Sequence, residues 1–91
     1  MEVNNMKMMD CVEVIVEKEK YAKEGVHKGM QGIIWQEISI DGEWDVYFPQ
    51  CGDKPDIAEI SINEEDLIFL PNGMNAAENE RIKQLFDEEN L

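Results

Sequence analysis

Ninety-one residues with 43% apolar content describe one domain with a modest core, and they exclude a disordered chain although 32% of residues are charged. Lys and Arg number 8 against 21 Asp and Glu, a net charge of −13 that repels nucleic acid and anionic membranes and attracts basic partners. The excess is uneven: residues 1–28 carry five Lys and six acids, net −1, and residues 29–91 carry three bases and fifteen acids, net −12. No apolar run approaches membrane-spanning length and the N-terminus lacks a signal-peptide core, so the expected location is cytoplasmic. Cys11 and Cys51 match no zinc spacing and make no disulfide framework, so reduced thiols are expected.

Residues 1–9 are polar and Met-rich, and little fixed structure is expected before Asp10. Residues 10–18 read as a first strand in which Val12, Val14 and Val16 face the core. Residues 19–29 read as a long polar loop, with Tyr21 and Val26 tucked back. His27, the only histidine, is expected to be an exposed loop residue, because no carboxylate or thiol cluster orients it.

Residues 30–48 read as a β-hairpin around Asp41-Gly42. A two-residue turn would set Trp44 opposite Ser39 and Val46 opposite Glu37, with the isoleucines and Trp44 on opposite faces. A three-residue loop of Ile40, Asp41 and Gly42 changes the parity. Ile38 then faces Trp44, Ile34 faces Phe48, and Gln36 faces Val46, which gathers one apolar face. The three-residue loop is therefore expected. The other face would carry Trp35 beside Tyr47, Glu37 beside Asp45 and Ser39 beside Glu43, an aromatic pair rimmed by carboxylates.

After a turn-rich connection from Pro49 to Pro55, residues 56–62 read as a fourth strand with Ala58, Ile60 and Ile62 inward. Residues 63–66 suit a single helical turn capped by Asn63, and residues 67–70 a short fifth strand. Residues 75–90 read as a helix capped by Asn75, with Glu78 at the capping-box position and three residues before Arg81. Ile82, Leu85 and Phe86 share one face. A lone helix of this length is marginal, so that face needs either the domain's own sheet or another protein. The obvious dock within the chain is the face around Trp35 and Tyr47, where the helix would turn the aromatic pair into core.

The Val12-x-Val14-x-Val16 strand, Gly25 to Gly29, Gly32-Ile33-Ile34, Trp44-x-Val46-x-Phe48 and Glu65-Asp66-Leu67 occur in an order that resembles the small bacterial SH3-like domains related to the KOW type. The resemblance spans residues 10–70. It implies a mostly β fold: a small five-stranded SH3-like barrel, with residues 1–9 as a flexible segment and residues 71–91 as a turn and C-terminal helix packed on the barrel. KOW-type domains often bind RNA through basic residues, whereas this chain is acidic over the same region. In size, charge and expected fold it also resembles immunity proteins of toxin–immunity pairs.

Nucleophilic catalysis needs a Cys or Ser beside a base, and neither cysteine is placed near His27 by the sequence. Asp41, Glu43 and Asp45 lack the calcium-loop pattern and its closing Glu. No glycine spacing matches a phosphate cradle. The expectation is a non-enzymatic acidic protein-binding module, without cofactor, catalytic residues or metal, and a monomer by itself. Its partner would be a basic protein, a toxin such as a nuclease, with no direct contact to nucleic acid or membrane. Trp35, Glu37, Glu43, Asp45, Tyr47, Glu64, Glu65 and Asp66 are the expected partner-binding residues. Two other readings use the same acidity: a nucleic-acid mimic that inhibits or regulates a DNA-binding protein, and a structural SH3-like accessory domain whose charge serves solubility.

Overall fold

A computed structural model describes residues 6–89. Five antiparallel strands, β1 (Cys11–Val14), β2 (Gln31–Ile34), β3 (Glu43–Phe48), β4 (Ala58–Asn63) and β5 (Leu67–Phe69), form one sheet in the order β4-β3-β2-β1-β5. The two outermost strands are consecutive in the chain, joined by a 3₁₀ turn over Glu64–Asp66. In a flat sheet the outer strands would lie about 19 Å apart, four spacings of about 4.8 Å. Three residues of 3₁₀ helix rise only about 6 Å. The short connection therefore curls the sheet into a half-barrel. Two helices complete the chain, α1 (Glu19–Ala22) and α2 (Ala76–Glu89).

The inside of the curl is apolar because β1 to β4 alternate and β5 adds Leu67. Val12 and Val14 of β1, Ile34 of β2, Trp44, Val46 and Phe48 of β3, Ile62 of β4 and Leu67 of β5 are all buried. Each such side chain contributes roughly 1.5–3 kcal/mol. Gly32 lies inside the same curl, where a Cβ would come within 2.6 Å of the Tyr47 carbonyl and 2.7 Å of Val46 Cγ1. Only glycine lets β2 and β3 approach so closely.

Several expectations need correction. Met6 is buried in the core, and the Met9 amide donates to the Ile34 carbonyl at 2.8 Å, so structure begins before Asp10. Residues 1–5 lie outside the described residues. β1 ends at Val14, and the expected loop contains α1, which drives Tyr21 inward to 1% exposure. Asn63 precedes the 3₁₀ turn but makes no side-chain cap bond.

The hairpin tip is the larger correction. Ile40 and Glu43 exchange both backbone hydrogen bonds, at 3.0 Å each, so the turn has two residues. Asp41 and Gly42 take φ of 54° and 77°, the positive pair that a type I′ turn needs. Farther along, Ile34 pairs with Val46 and Ile33 with Tyr47. Residues 35–39 thus face only Trp44 and Asp45. The three surplus residues form a bulge, where the Asp45 amide donates to the Gln36 side chain at 2.7 Å. The bulge restores the parity that a tight turn alone would break. Ile34, Trp44, Val46 and Phe48 share the inner face as expected, but Ile38 and Ile40 are 69% and 60% exposed.

α2 does not cover Trp35 and Tyr47. It packs beside the start of β2, held by the fully buried Asn79. The Asn79 carboxamide accepts from the Gln31 amide at 2.7 Å and donates to the carbonyls of Gln31 and Pro49, both at 2.8 Å. Asn75 caps the helix through the Ala77 amide at 3.0 Å. The expected capping box does not form: the Asn75 amide donates to Gln31 Oε1, and Glu78 pairs with Arg81 at 2.7 Å. Ile82 is buried and Phe86 partly so, while Leu85 is 50% exposed and leaves the packed face. His27 is not an exposed loop residue. Its ring stacks on Phe86 with centroids 3.6 Å apart and is only 13% exposed. Glu17 receives His27 Nδ1 at 2.7 Å and the Lys28 amide at 2.8 Å. Burial pushes the Glu17 carboxyl up, but those two bonds outweigh it and hold it below the usual range.

Candidate binding face

The outer side of the half-barrel carries the aromatic pair. Trp35 follows β2 and donates its amide to the Asp45 carbonyl at 2.8 Å, which keeps it in the ladder where the bulge begins. Tyr47 of β3 is paired with Ile33 on one side and Glu59 of β4 on the other. Alternation along β3 turns Asp45 and Tyr47 outward between buried neighbours. The Trp35 and Tyr47 ring centroids are 6.5 Å apart with their planes at 45°. Trp35 is 49% exposed, and the two rings and Glu59 line a shallow depression of about 290 Å³.

Carboxylates surround the rings. The Tyr47 hydroxyl donates to Asp56 Oδ1 at 2.8 Å, and this bond raises the tyrosine above its ordinary range, with burial and the Asp56 charge adding to it. Glu59 is the diagonal neighbour of Asp45 across the β3–β4 ladder, on the same outer face. The neighbouring Asp45 carboxylate raises the Glu59 carboxyl above the ordinary glutamate range, and burial and the Asp56 charge act in the same direction. Two neighbouring carboxylates disfavour each other's ionisation, and one keeps its proton to a higher pH. Among the described residues no Lys or Arg forms an ion pair with Asp45, Asp56 or Glu59. The face is apolar at its centre and electron-rich at its edge, and it fits a cation.

The residues expected from the sequence do not form one site. Trp35, Asp45 and Tyr47 come together on this face. Glu43 and Glu64 meet at the hairpin tip, where the Glu64 amide donates to the Gly42 carbonyl at 2.8 Å. Glu64 is partly engaged already, accepting from Trp44 Nε1 at 3.2 Å. Glu37 and Glu65 are exposed, Glu37 in the bulge and Glu65 in the 3₁₀ turn. Asp66 does not belong to a surface. It is 4% exposed and receives Lys18 Nζ and the Tyr21 hydroxyl, each at 2.7 Å. Its expected place among the partner-binding residues is corrected to a structural one.

Asp56 and Glu59 were missed. Glu59 alternates with the inward Ile60, which is a visible signal for the outer face, but its position beside Tyr47 follows from the β3–β4 register. Asp56 lies in the connection, before β4 begins at Ala58, and nothing local aims it at a tyrosine hydroxyl.

Other chemistry is sparse. Cys11 and Cys51 are free thiols, and hydrogen bonding to Glu80 raises the Cys51 thiol above its ordinary range. Among the described residues no group of three or more His, Cys, Asp or Glu is placed to hold a metal ion, and no helix is long and apolar enough to cross a membrane. Compared with protein-family models, with curated proteins and with solved structures, the chain gives no match.

Proposed function

We propose that this chain is a non-enzymatic, acidic protein-binding module on an SH3-like barrel, and that it acts as an immunity protein covering the cationic surface of a basic toxin such as a nuclease. The observation that carries the proposal is the open aromatic face: Trp35 stands half-exposed and Tyr47 partly exposed beside Asp45, Asp56 and Glu59 because α2 docks elsewhere. Partly exposed aromatic rings beside carboxylates that have no ion-pair partner among the described residues match the anchors of charge-steered complexes. The net charge of −13 supplies long-range attraction to a cationic cleft. The order β4-β3-β2-β1-β5, with a 3₁₀ turn between β4 and β5, supports the SH3-like assignment.

The test is capture of the chain's partner from its native host at low and high salt, followed by kinetics with the isolated partner. The expected result is a basic protein whose association slows steeply with salt and whose activity is lost in the complex. A partner that stays active when saturated would end the immunity reading, and the absence of any basic partner would end the binding-module reading.

A further inference from the structure

We infer that the open face is a guanidinium site: an arginine side chain of a basic protein partner lies flat against Trp35 and Tyr47, with its N–H edge toward the carboxylates of Asp45 and Glu59. The inference rests on the reading above that the partner is basic, and it names the side chain that anchors the partner.

Three observations favour that occupant. The rings are 6.5 Å apart and tilted by 45°, so they form an open wedge with two π faces. Aromatic faces attract cations and gain nothing from anions. The depression, about 290 Å³, is at the lower end of ligand clefts and open to solvent, which suits the end of one side chain. At its edge Asp45 and Glu59 set two carboxylates on neighbouring strands, diagonal across the β3–β4 ladder, and neither has an ion-pair partner among the described residues. A cation placed there relieves their repulsion as it binds. Guanidinium fits better than ammonium. It is planar, stacks on rings, carries parallel N–H donors for carboxylate oxygens and is more weakly hydrated. Asp56 holds the Tyr47 ring in place by accepting its hydroxyl at 2.8 Å.

The site also carries a pH dependence. The groups facing Glu59 are Asp45 from β3, the Tyr47 hydroxyl and Asp56 from the preceding loop. All three oppose its ionisation or leave it unchanged. Arginine affinity therefore climbs as pH rises through the raised range in which Glu59 loses its proton.

The experiment is an NMR titration of the full chain with N-acetyl-arginine methylamide, with the lysine and norleucine analogues as comparisons. Trp44 supplies an internal control, because its indole N–H is buried and held by Glu64. The expected result is a saturable shift of the Trp35 indole N–H with the arginine probe, a weaker one with lysine, none with norleucine, and a stationary Trp44 indole. Trp35→Ala should abolish the saturable response of neighbouring backbone amides. Glu59→Gln, a surface change that preserves the fold, should weaken binding about two- to five-fold. Shifts spread evenly over all acidic residues, or equal responses to arginine and lysine, would overturn the guanidinium site. The isolated partner separates the two ideas. A partner that binds Trp35→Ala and Glu59→Gln as tightly as the parent leaves the basic-partner reading standing and removes this site. A saturable arginine response with no basic partner does the reverse.

Discussion

Asp66 shows how one carboxylate ties three segments together. It receives Lys18 Nζ from the residue just before α1 and the Tyr21 hydroxyl from α1, each at 2.7 Å. The same hydroxyl accepts the Asn63 amide at 3.0 Å. The 3₁₀ turn, α1 and the end of β4 are thus joined through two side chains. Burial alone would raise the Asp66 carboxyl, but the bonds from Lys18 and Tyr21 outweigh it and hold it below the usual aspartate range. Its folded pKa lies below its unfolded one, so the stabilisation is present at neutral pH and is lost as pH falls through the depressed folded value. Tyr21 acts at the opposite end of the scale. Burial first, then the Asp66 bond and charge, push its hydroxyl up to about 12 against the pull of the Asn63 amide. That contribution is complete below the ordinary tyrosine range and is lost as pH rises toward about 12. Replacing Asp66 by Ala should cost about 2–4 kcal/mol, since it strands a hydroxyl and frees a lysine. Urea midpoints measured across pH check this: Asp66→Asn should flatten the acid limb, and an unchanged limb would place the acid sensitivity elsewhere.

At the scale of the element, α2 is fastened by a polar residue. Asn79 sits four residues after the cap Asn75 and three before Ile82, so Asn75, Asn79, Ile82 and Phe86 line one face of the helix. An apolar count instead groups Ile82, Leu85 and Phe86, which points Leu85 inward and gives Asn79 no weight. Among the described residues no buried side-chain nitrogen or oxygen lacks a partner. Asn79→Ala would leave the Gln31 amide and two carbonyls unanswered in a buried place. The expected cost is about 2–4 kcal/mol. Hydrogen exchange should show α2 and Gln31 opening first, with the β3–β4 ladder still protected. Equal loss of protection throughout the sheet would mean that α2 and the half-barrel unfold as one unit. The bulge after Trp35 is the second element-scale device. It turns a tight Asp41-Gly42 turn into a ladder with the apolar residues of β2 and β3 on the same side, and it leaves Ile38 and Ile40 outside.

For the whole molecule, charge is the dominant feature. A net charge of −13 on 91 residues means that the folded state carries repulsion that the expanded chain partly relieves. Salt at about 0.15 M screens charges beyond about 8 Å. The midpoint of thermal unfolding should therefore rise as sodium chloride is added from low ionic strength, while association with a cationic partner slows. A midpoint that falls with salt would mean that local ion pairs such as Lys18–Asp66 and Lys54–Glu80 outweigh the global repulsion.

The amino-acid sequence by itself determined the β character of residues 10–70, the inner faces of the strands, the turn at Asp41-Gly42 and the acidic field. These depend on neighbours two to four positions apart, where side-chain period and turn chemistry act directly. It also placed Trp35 and Tyr47 on one outer face. Tertiary structure alone decided the length of the turn and its compensating bulge, the burial of Asp66, the arrival of Asp56 and Glu59 beside Tyr47, and the dock of α2. The burial of Asp66 and the dock of α2 rest on contacts between residues far apart in the chain, such as Asn79 with Gln31 or Tyr21 with Asp66. A pattern of hydropathy ranks faces by their apolar content, and it cannot see a buried amide that answers three backbone groups. That amide sends α2 to the start of β2 and leaves the aromatic face open.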